Sequence, residues 1–367
     1  MAKKVVVGMS GGVDSSVASY LLQKEGYEVI GLFMRNWDSL VNNDTEGNPN
    51  LGNNICPQEQ DYNDALEVCK SLGIPLYRVD FIKEYWDNVF TYFLDELKKG
   101  RTPNPDLMCN KYIKFDLFKK EAKKLGADYI ATGHYARMEK GRLLRGVDNN
   151  KDQTYFLSQV KPSEFKDVLF PVGGLTKPEV RQIALEAGLP VAEKKDSTGI
   201  CFIGERHYQD FISNYLKGKE GDIVDIDTLE IIGKHKGLMN YTIGQRRNVG
   251  LSGDAKRHYV CGKNVEKNIL YVAFGDDNKY LISNEAVIED MNYISDLKPA
   301  FATCKFRYRG EDVPISIEYN GNEVTLKYES AKAVTPGQAC VVYLGSEVIA
   351  GGIIKEVRKD GEKLWYL

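Results

Sequence analysis

No stretch of this 367-residue chain approaches the roughly 18 consecutive apolar residues that a membrane-spanning helix needs. The N-terminus, Met1-Ala2-Lys3-Lys4 ahead of Val5-Val6-Val7, has too short an apolar run for a signal peptide and too little Arg and Ser for a transit sequence. A cytoplasmic address with no membrane partner is the expectation. Seven cysteines without a single C-x-x-C pair make neither a zinc site nor a secreted disulfide framework, so the thiols are expected to be mostly reduced. The chain also lacks Gly-Lys-Ser/Thr and Gly-x-Gly-x-x-Gly, which excludes the Walker A and dinucleotide-binding loops. A charge of one sign is missing too: 49 Lys and Arg against 52 Asp and Glu leave a net charge of −3.

That average conceals a local asymmetry. From Lys234 to Lys263 there are seven Lys or Arg and one acid, Asp254, with Tyr241, Tyr259 and Arg246-Arg247 interleaved. Such a stretch can meet phosphates and stack on bases, or it can be an ordinary solvated face, and composition alone leaves both open.

With 43% hydrophobic and 28% charged residues the composition is that of a globular protein, and the length implies two or three domains. The first half alternates. Val5–Val7, Val29–Phe33, Leu76–Asp80 and Tyr129–Thr132 read as strands, and Asp14–Gln23, Asp61–Leu72 and Phe115–Leu125 as helices. This order predicts an α/β fold, a parallel sheet with helices on both faces, whose ligands sit at the carboxyl ends of the strands. Asn42–Asn54, rich in Asn and Gly, reads as an excursion loop. The character changes near Gly204. From Ala300, five short segments (Phe301–Tyr308, Pro314–Tyr319, Glu323–Tyr328, Ala339–Leu344, Glu347–Ile354) with turns at Asn320-Gly321 and Pro336-Gly337 predict a C-terminal β-barrel. The expected division is 1–205, a catalytic domain; 206–280, a small central domain; and 281–367, the barrel.

The most informative segment is Gly8-Met9-Ser10-Gly11-Gly12-Val13-Asp14-Ser15-Ser16, between a strand and a helix. The glycine pair lets backbone N–H groups approach an anion, the helix start adds unpaired donors, and Ser10, Ser15 and Ser16 add hydroxyls. Asp14 could hold magnesium against pyrophosphate oxygens, although no dedicated metal-ligand set is present. The plainer alternative is a Gly-rich turn capped by Ser and Asp. Ser10–Ser15 resembles the PP-loop of ATP pyrophosphatases, which cleave ATP between the α and β phosphates and leave AMP on an acceptor oxygen. Gly133, in Ala131-Thr132-Gly133-His134-Tyr135-Ala136, could admit the adenosine close to the backbone.

Two cysteines stand in polar settings. Asn104-Pro105-Asp106-Leu107-Met108-Cys109-Asn110 reads as a Pro-rich loop ahead of a basic helix, with a carboxylate three residues before a thiol that can take up or supply a proton. A capping Asp and a half-buried Cys would look the same. Cys201 lies in Lys195-Asp196-Ser197-Thr198-Gly199-Ile200-Cys201-Phe202-Ile203-Gly204, where Lys194, Lys195 and Arg206 would favour a thiolate able to carry a persulfide. Packing beside Ile200 and Phe202 is the alternative. The two thiols are 92 positions apart, so the sequence does not show that they meet. Cys56, Cys69, Cys261, Cys304 and Cys340 lack such settings.

Together with Phe33–Asp38, Ala131–Tyr135, Lys151-Asp152-Gln153, Tyr241–Arg246 and Thr335–Gln338, these segments resemble the tRNA-specific 2-thiouridylase family over nearly the whole chain. The resemblance implies an ATP-dependent sulfurtransferase acting on the wobble uridine of Glu, Gln and Lys tRNAs. Sulfur would come from a protein persulfide donor, a sulfur relay or a cysteine desulfurase. Cys201 would be the persulfide carrier, Cys109 the nucleophile that completes release through a disulfide, and Asp106 the acid/base. Gly8, Met9, Ser10, Gly11, Gly12, Val13, Asp14, Ser15, Met34 and Gly133 would line the site for ATP, expected with magnesium. Asn104, Pro105, Asp106, Lys151, Asp152, Gln153, Arg307 and Tyr308 would contact tRNA. Departures at Asn240, Arg247-Asn248-Val249 and Val348-Ile349-Ala350 touch fine tRNA contacts only. The rival readings are another PP-loop adenylating enzyme, which leaves the two cysteines unexplained, and a non-catalytic RNA-binding protein that senses a nucleotide.

Overall fold

Val5, Val6 and Val7 are all fully buried because the strand that carries them is covered on both sides: Val5 and Val7 enter one hydrophobic cluster and Val6 the other. The computed structural model describes the chain apart from residues 1, 47, 49–56, 197–198, 202, 205, 252–256 and 322. The readings that involve Cys56, Ser197, Thr198, Phe202 and Asp254, and most of the 42–54 loop, lie outside the described residues.

The strands of the first 205 residues are β1 (Lys4–Met9), β2 (Glu28–Arg35), β3 (Leu76–Asp80), β4 (Tyr129–Ala131), β5 (Ala136–Glu139), β6 (Arg142–Arg145) and β7 (Val168–Leu169). Five of them form a parallel sheet in the order β3-β2-β1-β4-β7. Helices α1 (Val13–Lys24), α2 (Pro57–Leu72) and Lys177–Glu186 cover one face through Val17, Leu22, Val68, Val180 and Ala184. Two helical runs, 82–98 and 105–124, cover the other through Tyr85, Phe90, Phe93, Ile113, Phe115 and Phe118. Both contain a π-helical section, at Trp86–Phe90 and Cys109–Leu117.

The second run corrects the expectation of a loop through Asn110. The loop ends at Asn104, whose side chain accepts the Asp106 N–H at 3.1 Å as a helix cap. Pro105 stands at the first helical position, where its missing N–H removes no helical hydrogen bond. Asp106 and Cys109 therefore sit on one rigid helix.

Beyond residue 205, β8 (Gly221–Asp225), β9 (Ile231–His235), β10 (His258–Asn264) and β11 (Ile269–Phe274) form a four-stranded sheet. Then β12 (Ile282–Tyr293), β13 (Phe301–Lys305), β14 (Val313–Asn320), β15 (Glu323–Lys332), β16 (Ala339–Leu344) and β17 (Glu347–Lys359) close into a barrel through the β12–β17 pairing. Strand β12 was not legible in the sequence, because register shifts against both of its neighbours break its alternation. The β5–β6 hairpin extends the barrel sheet at Glu347↔Leu144.

One barrel turn bears directly on the site. Pro336 carbonyl accepts the Thr102 N–H at 3.0 Å, and Gln338 Nε2 donates to the Thr102 carbonyl at 2.7 Å. Gly337 (φ 89°) packs so closely that a Cβ there would lie 2.8 Å from Arg101 Cβ. The Thr335–Gln338 turn thus holds the segment that enters the Asn104 cap.

Candidate active site

At the carboxyl end of β1 the chain turns through Ser10-Gly11-Gly12 into α1. Gly11 has φ 69°, and a Cβ on it would stand 2.2 Å from the Asp61 carbonyl oxygen, so both backbone shape and space demand glycine. Ser15 Oγ accepts the Ser10 N–H at 3.3 Å, and the hydroxyls of Ser15 and Ser16 donate to the Gly12 carbonyl at 3.1 and 2.8 Å. Gly12 is the helix cap and supplies no side-chain acceptor, which leaves the first-turn amides to an outside anion. Asp14 Oδ1 accepts from Tyr135 Oη at 2.8 Å and Lys177 Nζ at 2.7 Å.

Gly133 packs directly on the loop. A Cβ there would be 2.7 Å from the Ser15 nitrogen, so the glycine lets the end of β4 close onto the first turn of α1. Met34 is buried in β2, beside Phe118 and facing Gly8. His134, buried and bonded through Nδ1 to Thr132 Oγ1 at 2.8 Å, has its pKa pushed well down by burial and is neutral.

The two thiols meet. Cys109 Sγ lies 3.8 Å from Cys201 Sγ, with both cysteines free. Cys109 is fully buried, whereas Cys201 is partly exposed on a tight turn closed by the Gly204 N–H on the Ile200 carbonyl at 2.8 Å. Asp106 Oδ1 accepts the Cys201 N–H at 3.1 Å, and Tyr85 Oη donates to the Cys201 carbonyl at 2.8 Å. The hydrogen bond donated by the Cys109 thiol, with help from the Lys114 ammonium, draws the Cys201 pKa below the ordinary thiol value. Burial pushes that of Cys109 well up. Burial likewise raises Asp106. The pair is therefore polarised: the accessible sulfur of Cys201 gives up its proton more readily than the buried sulfur of Cys109.

Two of the three cations expected to act on Cys201 are committed elsewhere. Lys194 bonds Asp61, Asp64 and the Gly11 carbonyl at 2.8, 2.5 and 3.0 Å, and Arg206 forks onto buried Asp44 at 2.7 and 3.0 Å. Lys195 is exposed. The acting cation, Lys114, was missed because it stands five positions after Cys109, off the face an α-helix would present; the π section brings it back. Tyr85 lies 116 positions from Cys201 and left no signal.

Of the remaining predicted residues, Lys151 pairs with Asp196 at 2.5 Å and Gln153 Oε1 accepts the Tyr135 N–H at 3.0 Å. Asp152 is buried, bonded to the Gly146 N–H and to Thr154 Oγ1. Arg307 is exposed and donates to the Ala333 carbonyl, while Tyr308 packs on Phe156 with ring centroids 4.3 Å apart. Phe156 in turn accepts from Asn110 Nδ2 at 3.0 Å, next to Cys109. Asn104 and Pro105 sit at the helix start, half-buried.

Residues 3–205 match the family model described as tRNA methyl transferase HUP domain, 209–274 the tRNA methyl transferase PRC-barrel domain and 283–354 the Aminomethyltransferase beta-barrel domain. The chain is 55% identical over 368 residues to the tRNA-specific 2-thiouridylase MnmA of Mycoplasmopsis synoviae, covering 100% of this chain and 99% of that protein. It is 53% identical over 370 residues to the MnmA of Metamycoplasma arthritidis, with both chains covered in full. The MnmA of Lysinibacillus sphaericus is 52% identical over 374 residues, with 99% of this chain and 97% of that protein covered. This chain belongs to the tRNA-specific 2-thiouridylase family. In this 2-thiouridylase the loop of Gly8–Ser15 and the Cys109–Cys201 pair are both borne by the residues matched to the HUP domain. Among the described residues no helix is long and apolar enough to cross a membrane.

Proposed function

We propose that the chain uses ATP to adenylate the C2 carbonyl oxygen of a tRNA wobble uridine and replaces it with sulfur carried on Cys201, giving 2-thiouridine, AMP and pyrophosphate. The observation that carries this reading is the polarised thiol pair, 3.8 Å apart with Asp106 on the Cys201 amide. The family-model descriptions speak of methyl transfer, whereas the full-length relatives are thiouridylases. Paired thiols beside a carboxylate and a lysine suit sulfur transfer, in agreement with those relatives, which match the whole chain.

A uracil carbonyl oxygen is a poor leaving group; as an AMP ester it departs readily, while the loop amides take the negative charge of the pyrophosphate. Cys201, loaded by a protein persulfide donor, carries R–S–SH. Its terminal sulfur attacks C2, AMP leaves with the oxygen, and the base is held through a disulfide to Cys201. Cys109, its proton passed to the site's acid/base Asp106, attacks Cys201 Sγ. The carbon–sulfur bond keeps its electrons, thiouridine is released, and a Cys109–Cys201 disulfide forms. Closing 3.8 Å to a bond of about 2.05 Å needs under 2 Å of movement. An external dithiol then resets the pair. The wobble base must leave the anticodon stack to reach this site, which costs a few kcal/mol.

Magnesium enters this reading as a counterion of the ATP phosphates. The residues by themselves do not make a site for it: Asp14 Oδ1 already accepts two donors, and no group of three candidate ligands occurs among the described residues. No step above is routed through it.

In this reading residues 1–205 are the catalytic domain, 206–280 a central tRNA-binding domain and 281–367 the barrel, and the acceptors are Glu, Gln and Lys tRNAs. A basic depression of about 560 Å³ lined by Arg246, Arg247, Arg257 and His258 supports a phosphate-binding role for the central domain. Arg307, Tyr308, Asn104–Asp106 and Lys151–Gln153 are the further tRNA contacts of this reading, and Tyr308 packs on Phe156, whose carbonyl accepts from Asn110 beside Cys109. The test is mass spectrometry of nucleosides from tRNA incubated with ATP and a persulfide donor. 2-Thiouridine with AMP formed only when tRNA is present supports the reading; an amide product, or no AMP, contradicts it.

A further inference from the structure

The PP-loop carries no lysine of its own, although it must hold a pyrophosphate as the leaving group of adenylation. Two lysines reach it from other parts of the chain. Lys194 supports the loop from behind, with Asp61, Asp64 and the Gly11 carbonyl as its partners. Lys177 is one-tenth exposed, with Nζ 2.7 Å from Asp14 Oδ1 in the first turn of α1 and 2.8 Å from Asp196 Oδ1.

Asp196 is shared further: Lys151 Nζ is 2.5 Å away and Arg181 Nη2 2.8 Å. Three cations converge on one carboxylate. Asp14 shares Lys177, and a further carboxylate, Asp148, accepts the backbone N–H groups of Lys177 and Lys151 at 2.9 and 3.2 Å, so an entering phosphate can take over the ammonium groups without stripping the cluster of all its anions. That donor set suits a multivalent phosphate better than a single two-oxygen anion. Arg181 also donates to the carbonyls of Ala192 and Lys194 at 3.2 and 3.0 Å, so it is fixed in place, whereas the ammonium groups of Lys151 and Lys177 can change partner. Asp196, drawn down to about 2 by these cations, is ionised at any working pH, so an incoming phosphate competes with it as one anion against another.

Resting on the ATP-dependent reading above, we propose that Lys177 is the phosphate-binding cation of the nucleotide site and that Asp196 is an internal anion which pyrophosphate displaces from it. Lys151 is shared in the same way. Its half-buried place beside Asp196 gives it a phosphate to bind as well as an RNA surface to face.

The experiment is calorimetric titration of inorganic pyrophosphate into the full chain and into Lys177→Gln, Lys177→Arg and Asp196→Asn, with ATP titrated into the unsubstituted chain alongside. Lys177→Gln is expected to weaken pyrophosphate binding by about tenfold or more, since one charge-assisted contact is lost. Lys177→Arg recovers most of it. Asp196→Asn is expected to tighten binding several-fold, because the competing anion is gone. That opposite sign separates the proposal from a purely structural ion pair, whose two halves would weaken binding alike. If Lys177→Gln does not fold, the direction of the Asp196→Asn effect decides alone. Unchanged binding in Lys177→Gln, or weaker binding in Asp196→Asn, overturns the proposal. Failure of the unsubstituted chain to bind either pyrophosphate or ATP overturns the nucleotide reading beneath it.

Discussion

Lys263 gives a stability prediction with a definite sign. It projects from β10 into the junction between the three parts of the molecule, where its ammonium donates to the Gly100 carbonyl at 3.0 Å, and no carboxylate pairs with it among the described residues. Burial draws its pKa from 10.5 down to about 7. The folded pKa lies below the unfolded one, so the unfolded chain binds the extra proton between about pH 7 and 10.5, and stability from this group rises with pH across that window. Below it the folded protein carries the full penalty of a charged buried amine, roughly 4–5 kcal/mol at about 1.4 kcal/mol per pKa unit. Lys263→Met keeps the aliphatic stem and removes this penalty, while the Gly100 carbonyl loses its donor at a cost of about 1–3 kcal/mol. The variant should therefore be more stable than the parent by roughly 1–4 kcal/mol near pH 6.5, and the advantage should be gone or reversed by pH 9.5. Urea unfolding midpoints at the two pH values measure it. A variant less stable at pH 6.5, or a difference that does not change with pH, would refute the reasoning.

Three substitutions probe the chemistry. Cys201→Ser should abolish thiouridine formation while tRNA binding and tRNA-dependent AMP release persist; retained sulfur transfer from a persulfide donor would remove Cys201 from the mechanism. Asp106→Asn still accepts the Cys201 N–H but cannot take a proton, so turnover should fall by about 10²-fold or more and the acid-side limb of the pH–rate profile should disappear. Gly11→Ala meets both a positive φ and a carbonyl oxygen 2.2 Å from its Cβ, and ATP titration should show binding lost.

Much of this site was legible before the fold was known, for particular reasons. The PP-loop could be read because its glycines and serines are consecutive and its flanking strand is a run of valines. The parallel sheet followed from the same continuous apolar segments. What escaped depended on contacts between distant residues or on irregular backbone. Lys194 and Arg206 looked like partners for Cys201 because they are near it in sequence, but carboxylates 130 and 162 positions away hold them. Pro105 suggested a loop, whereas it opens a helix. Lys114 acts on Cys201 through a π turn that no period-3.6 pattern reveals. The meeting of Cys109 and Cys201 is a tertiary fact, fixed by the Asp106 and Tyr85 hydrogen bonds to the Cys201 backbone.

The central claim is that an activated uridine takes sulfur from Cys201 and that Cys109 completes the release. The most direct measurement is a single turnover of persulfide-loaded protein with tRNA and ATP, stopped by alkylation and followed by peptide mapping. One Cys109–Cys201 disulfide per thiouridine formed is the predicted result. Thiouridine formed with both thiols still alkylatable would contradict it.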